Sequence, residues 1–151
     1  MALSTNPNAG GAAHQPAQTV TLDTALAIVE SARAKAMEIG VPMNIAVVDE
    51  GSNLVAFARM DDAWLGSIDI AQNKAYTARA FDMPTKELAP LAQPGESLYG
   101  IEASNHGRLI VFAGGIPLLS GNRVVGAIGV SGGTVEQDQA VAEAGAAALQ
   151  I

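Results

Sequence analysis

The chain has 151 residues, of which 49% are hydrophobic and 15% charged, and these proportions suit one domain with a core that can stand alone. Its net charge of −7, without a cluster of lysine and arginine, argues against nucleic acids and anionic membrane surfaces as partners. The absence of cysteine excludes disulfides, thiolate metal sites and iron–sulfur clusters. No export signal and no apolar run of membrane-spanning length is evident, so we expect a cytoplasmic protein. A small molecule or a second protein is the expected partner.

The beginning of the chain differs in composition from the remainder. Residues 1–19 are rich in Ala, Gly, Asn, Pro and Gln without periodicity, which predicts a flexible tail. Residues 20–151 are predicted to form a single domain. Its first helix begins near Leu22, where hydrophobic residues start to recur at helical spacing, and ends at Gly40.

A hairpin and a second helix follow. Two strand-like runs at residues 43–48 and 54–59 flank a loop of turn-forming residues, which predicts a β-hairpin. Ser67 is the predicted cap of the second helix, which continues to about Ala80.

The second half of the chain contains a long irregular segment before its strands. Prolines and a glycine interrupt residues 82–100, which predicts a lid or partner loop with one short helical turn from Thr85. Three strand-like runs follow, at residues 109–112, 116–119 and 124–130. The last helix runs from Val135 toward Leu149. Since short turns join neighbouring strands in antiparallel order, we predict an α+β fold with a five-stranded antiparallel sheet and flanking helices.

A glycine elbow joins the last strand to the last helix. It consists of Ser131, Gly132 and Gly133, and Thr134 with Gln137 forms a capping-box pattern after it. Backbone N–H groups at such an elbow often hold carboxylates or phosphates. Glu136 and Asp138 place negative charge in the first turn of the helix and repel an incoming anion. A structural turn is therefore favoured over a phosphate site, while a neutral ligand or a carboxylate paired with a cation stays open.

Lys74 and Thr77 interrupt the apolar stripe of the second helix. An ammonium on such a face must reach water or find a carboxylate. The structural interpretation is an ion pair, for which the candidate partners are Asp49, Asp61 and Asp69. The functional interpretation is that Lys74 binds a ligand carboxylate or acts as a base, with the hydroxyl of Thr77 contacting the same ligand.

Other polar residues are candidates for ligand contacts. Arg59 could pair with a carboxylate and Trp64 could pack against a planar ligand, although an Arg59–Asp61 clamp is slightly favoured. His14 and His106 are the two histidines of the chain, so any histidine-ligated iron must use one of them. The other candidate ligands of a haem iron are Tyr76, Tyr99 and a methionine such as Met60 or Met83. His106 lies in a polar loop, where a solvated histidine is the common case.

The chain resembles the haem-binding GlcG/HbpS/PduO C-terminal domain family. Five phrases occur in the order of that family: AVVDEG at residues 46–51, LVAFARMD at 54–61, KAYTA at 74–78, GGIP at 114–117 and GAIGVSGG at 126–133. The resemblance implies an α/β/α sandwich of profilin- or PAS-like appearance around a five-stranded antiparallel sheet, and assembly into homo-oligomers from dimers to octamers. Members are associated with haem binding or degradation, corrinoid and diol metabolism, and glycolate or aromatic-compound catabolism.

Two functional hypotheses follow from the resemblance and the residues together. In the leading one, the oligomeric domain binds haem or a related planar carboxylated ligand, and His106 ligates the iron. The residues expected to contact this ligand are Arg59, Trp64, Lys74, Thr77, Phe81, Ser131, Gly132 and Gly133. The alternative is a cofactor-independent catabolic enzyme of hydrolase, deaminase or isomerase type that acts on a small unsaturated carboxylate. Its candidate catalytic residues are Lys74, Asp49 and Glu136.

Overall fold

A computed structural model describes residues 19–149, so residues 1–18 of the predicted tail, His14 among them, lie outside the described residues. The helices in this range are α1 (Leu22–Ile39), α2 (Gly66–Phe81), α3 (Thr85–Leu91) and α4 (Val135–Ala146). The strands are β1 (Asn44–Asp49), β2 (Leu54–Arg59), β3 (Gly115–Ser120) and β4 (Arg123–Ser131). Two short 3₁₀ segments, Ile101–Ala103 and Asn105–Gly107, lie between α3 and β3.

The strands form one antiparallel sheet in the order β2-β1-β4-β3. The predicted hairpin is confirmed, because β1 and β2 pair directly around the turn. Helices α1 and α4 pack on one face of the sheet, and α2 packs on the other face against β4, β1 and β3. The α+β class and the antiparallel sheet are therefore confirmed.

The prediction of a fifth strand is wrong. The apolar run at residues 109–112 has no regular secondary structure and lies beside α2. The N–H group of Ile110 donates to the Thr77 hydroxyl at 3.0 Å instead of to a neighbouring strand. A side chain on α2 thus takes the hydrogen-bonding position that a strand partner would have filled, and the sheet has four strands in the described part of the chain.

The predicted helix starts have different outcomes. The capping box at Thr134 and Gln137 is confirmed, since each side chain accepts a hydrogen bond from the backbone N–H of the other. The capping role of Ser67 is wrong, because α2 begins at Gly66 without a side-chain cap. The Ser67 hydroxyl instead accepts a hydrogen bond from Ser131 at 3.0 Å across the α2–β4 contact. The last helix ends at Ala146, earlier than expected.

Glycines allow the backbone of α2 to lie directly on the sheet. A Cβ atom at Gly129 on β4 would overlap the carbonyl oxygen of Ala71 and the backbone nitrogen of Ala75. A Cβ atom at Gly115 on β3 would overlap the carbonyl oxygen of Lys74. These positions tolerate only hydrogen because the two layers meet backbone to backbone.

Candidate functional site

Lys74 lies in the contact between α2, β4 and α4, with no exposed surface. Its Nζ is 2.8 Å from Oδ2 of Asp138 and donates at 2.8 Å to the carbonyl oxygen of Val130. The predicted structural partners Asp49, Asp61 and Asp69 are therefore wrong, and the carboxylate comes from the first turn of α4. These contacts join α2 to the consecutive elements β4 and α4, which lie 56 and 64 residues later in the chain at the contacting positions.

The glycine elbow binds the same carboxylate. The N–H groups of Gly132 and Gly133 donate to Oδ1 of Asp138 at 3.1 and 2.9 Å. The elbow is therefore an anion site, as its backbone geometry suggested, but the anion is a side chain of the protein itself. Both carboxylate oxygens of Asp138 are engaged, one by the elbow and one by Lys74.

The surroundings of Lys74 change its protonation equilibrium. Burial of the ammonium lowers the pKa of Lys74 below 10.5, while the charge of Asp138 and the hydrogen bond to it act in the opposite direction. The Phe112 ring covers Nζ, with its centroid 4.9 Å away, and a Cβ atom at Gly114 would stand 2.7 Å from Nζ. These contacts enclose the Lys74 ammonium, which has no exposed surface.

The other polar residues of α2 and the elbow form contacts within the fold. The Thr77 hydroxyl donates to the Asn73 carbonyl at 2.7 Å and accepts from Ile110. Ser131 is 4% exposed and donates to Ser67. Lys74 and the elbow glycines thus meet at Asp138, while Thr77 and Ser131 make separate polar contacts. Together these contacts form a buried polar framework between helices and sheet.

The three candidate catalytic residues lie apart. Asp49 accepts hydrogen bonds from the backbone N–H groups of Gly51 and Asn53, both at 2.9 Å, and so fixes the hairpin turn. It opposes Gly126, four residues along β4 from Val130, which corresponds to about 13 Å. Glu136 is exposed on α4. The structure therefore does not bring these three residues into one pocket, as the alternative enzymatic hypothesis requires.

Arg59 and Trp64 lie beside the edge strand β2. The Arg59 guanidinium donates to the Ala63 carbonyl at 3.1 and 3.3 Å, so the predicted clamp with Asp61 is wrong. Trp64 is 64% exposed. Phe81 is partly exposed at the other end of α2, and the 16 residues of this helix separate it from Trp64 by about 24 Å. Trp64 and Phe81 are too far apart to pack on one planar ligand.

His106 is exposed on a loop that α2 holds in place. It and Asn105 adopt left-handed backbone angles, with φ of 56° and 51°. Tyr76 on α2 donates from its hydroxyl to the Asn105 side-chain oxygen at 2.7 Å. The Arg108 guanidinium carbon lies 3.6 Å from the centre of the Tyr76 ring. The loop is thus anchored to α2 on both sides of His106, and the imidazole itself is exposed.

Two contacts in these arrangements were not predicted from the sequence. Asp138 is indicated there only as negative charge near a helix start, although its i+4 position relative to the capping residue Thr134 points it back toward the elbow. The contact between Tyr76 and Arg108 has no local signal, since it joins a helix to an irregular loop.

Residues 19–149 contain neither a membrane-spanning helix nor a cluster of metal-binding side chains. No helix there is long and apolar enough to cross a membrane. No cluster of three or more His, Cys, Asp or Glu side chains there could hold a metal ion.

The fold is that of an α+β sandwich with a buried ion pair and an exposed histidine loop, and comparison with known proteins gives its family. Residues 20–147 match the family model described as "Haem degrading protein HbpS-like". This match covers more than half of the chain, so the protein belongs to the HbpS-like family. The resemblance drawn from the five sequence phrases is confirmed.

Three relatives illustrate the range of the family. A 15.0 kDa protein of the dhaT-dhaS intergenic region of Citrobacter freundii is 47% identical over 129 residues, which are 85% of this chain and 91% of that protein. Corrinoid adenosyltransferase PduO of Citrobacter freundii is 36% identical over 93% of this chain, but the match spans only 42% of PduO. The crystal structure of a PduOC:heme complex is 34% identical, covers 87% of this chain and 96% of that one, and superposes with a TM-score of 0.84.

Proposed function

We propose that this protein binds haem, or a related planar ligand with carboxylates, and that His106 supplies the imidazole for the iron. The observation that carries the proposal is the likeness to PduOC, whose structure was solved as a heme complex. Membership of the HbpS-like family supports it as well. Bound haem would supply an iron centre that takes one-electron chemistry and axial ligands.

The residues around His106 fit such a group. His106 is the one histidine among residues 19–149, and its side chain is exposed. A neutral imidazole is a common axial ligand of haem iron. The Tyr76–Asn105 hydrogen bond holds the loop in place, so the loop that carries His106 does not need to be ordered when the ligand binds. Thr77 of the buried polar framework anchors the end of this loop, because its hydroxyl accepts a hydrogen bond from the N–H group of Ile110.

We also propose that the protein forms a homo-oligomer. Trp64 and Leu65 are 64% and 73% exposed beside β2, which is an edge strand of the sheet. Apolar side chains at an unpaired edge support association. Light scattering coupled to size exclusion measures the mass directly, and a monomer at all concentrations would contradict the proposal.

The haem proposal is tested by titrating tag-free protein with haemin and recording the Soret band. Wild type and His14→Ala are expected to give a saturable, stoichiometric Soret shift, and His106→Ala is expected to lose it. Far-UV circular dichroism of each variant confirms that the fold is retained. A linear, unshifted response of the wild type would contradict haem binding. A shift lost only in His14→Ala would contradict the role of His106.

A further inference from the structure

We infer that Arg108, held flat by Tyr76, binds a carboxylate of the ligand whose iron is bound by His106. This inference rests on the proposed function and adds the residue that selects for a carboxylated porphyrin. It assigns a role to an arginine outside the motif phrases and outside the buried framework.

Tyr76 orients Arg108 by stacking. The guanidinium carbon lies 3.6 Å from the centroid of the Tyr76 ring, which is a face-on cation–π contact. Stacking uses the flat face of the guanidinium and leaves the N–H groups in its plane directed outward. The Tyr76 ring is fixed in turn, because its hydroxyl donates to Asn105 at 2.7 Å.

The N–H groups of Arg108 have no carboxylate partner among residues 19–149. Other arginines in this range are engaged: Arg33 pairs with Glu30, and Arg123 pairs with Glu50. Arg108 is exposed and forms none of the ion pairs of the described chain. In a protein with a net charge of −7, an exposed and preoriented arginine without an acidic partner is suited to an anionic ligand.

Arg108 and His106 lie in one loop, which Tyr76 holds. Arg108 follows His106 by two residues, and Gly107 between them has a φ of 74°. Tyr76 contacts the loop on both sides of His106, through Asn105 before it and Arg108 after it. One helix side chain therefore sets the relative position of an iron ligand and a carboxylate partner. A ligand that carries both an iron and a peripheral carboxylate matches this pair.

The test compares haemin with haemin dimethyl ester, in which both carboxylates are blocked, in one dilute detergent buffer. We expect wild type to bind haemin about 10-fold to 100-fold more tightly than the diester, as one charge-assisted contact provides. Arg108→Gln should lose this preference while its affinity for the diester stays unchanged. Arg123→Gln is the matched control, since Arg123 is also exposed but already pairs with Glu50, and it should keep the preference. Arg59→Gln is measured beside it because Arg59 is the other arginine expected to contact the ligand.

Tyr76→Leu removes the stacking partner without touching Arg108, so it should also reduce the preference for haemin. The possible outcomes separate the two proposals. If wild type binds neither ligand saturably, the proposed function itself fails. If wild type binds both ligands equally, or Arg108→Gln keeps the preference, haem binding stands and the role of Arg108 is overturned. A preference lost in Arg59→Gln would assign the carboxylate to the β2 edge instead.

Discussion

Removing the buried ammonium is the sharpest test of the internal ion pair. Lys74→Met keeps a side chain of similar length but leaves the Asp138 carboxylate, 2% exposed, with only the elbow N–H groups as partners. Breaking a buried pair from one side costs about 3–5 kcal/mol, because the remaining charge is uncompensated. We therefore expect Lys74→Met to lower the free energy of unfolding by about this amount.

The assay is urea unfolding followed by far-UV circular dichroism, at matched protein concentration in case subunits associate. Tryptophan emission is a poor probe here because Trp64 is largely exposed in the folded protein. Lys35→Met is the matched control: Lys35 pairs with Glu38 at 3.3 Å on the surface, and its loss should cost less than about 1 kcal/mol.

A double-mutant cycle isolates the pair itself. Asp138→Asn keeps an oxygen for the elbow N–H groups and removes the charge, so the Lys74→Met, Asp138→Asn double variant should be less destabilised than the sum of the single variants, by about 2–3 kcal/mol. A cost of less than about 1 kcal/mol for Lys74→Met, or a coupling energy near zero, would refute the assignment of Lys74 and Asp138 as a buried charge pair.

Three further predictions concern the same layer. Because burial lowers the pKa of Lys74 below 10.5, the unfolded chain holds this proton to higher pH than the folded protein. The free energy of unfolding of wild type relative to Lys74→Met should therefore rise with pH up to about 10.5, and a fall over this window in urea titrations would contradict the lowered pKa. Gly129→Ala should abolish or severely weaken folding because the added Cβ overlaps α2. Gly66→Ala is the control: it has open space around it and should leave the thermal midpoint unchanged or higher. Equal thermal midpoints for the two variants would contradict the close approach of α2 to β4. Thr77→Val should cost about 1–3 kcal/mol and speed amide exchange at Ile110, while Thr77→Ser keeps the hydroxyl; unchanged exchange in Thr77→Val would refute the contact.

The elements that could be predicted from the sequence are those whose signals are local. The β1–β2 hairpin surrounds a turn whose own residues bind one another, and the start of α4 is set by Thr134 and Gln137 three residues apart. The prediction of a strand at residues 109–112 is wrong because an apolar composition fits a strand as well as it fits a buried irregular segment. Its actual partner is the hydroxyl of Thr77, more than thirty residues earlier.

The candidate site was predictable only in part, for the same reason. An unusual lysine on an apolar helix face was visible in the sequence, but its partner Asp138 lies 64 residues away. No spacing rule connects them, and three nearer aspartates competed for the role. The stacking of Arg108 on Tyr76 likewise depends on how an irregular loop folds over a helix, which local propensity does not determine.

The glycine contacts between α2 and the sheet limit where a ligand can bind. At Gly129 and Gly115 the helix backbone touches the strands, so a ligand cannot enter between α2 and the sheet at these positions. A ligand that cannot enter between α2 and the sheet keeps one side open to solvent or to a second macromolecule. Haem bound as proposed would therefore associate and dissociate at the protein surface, without separation of α2 from the sheet.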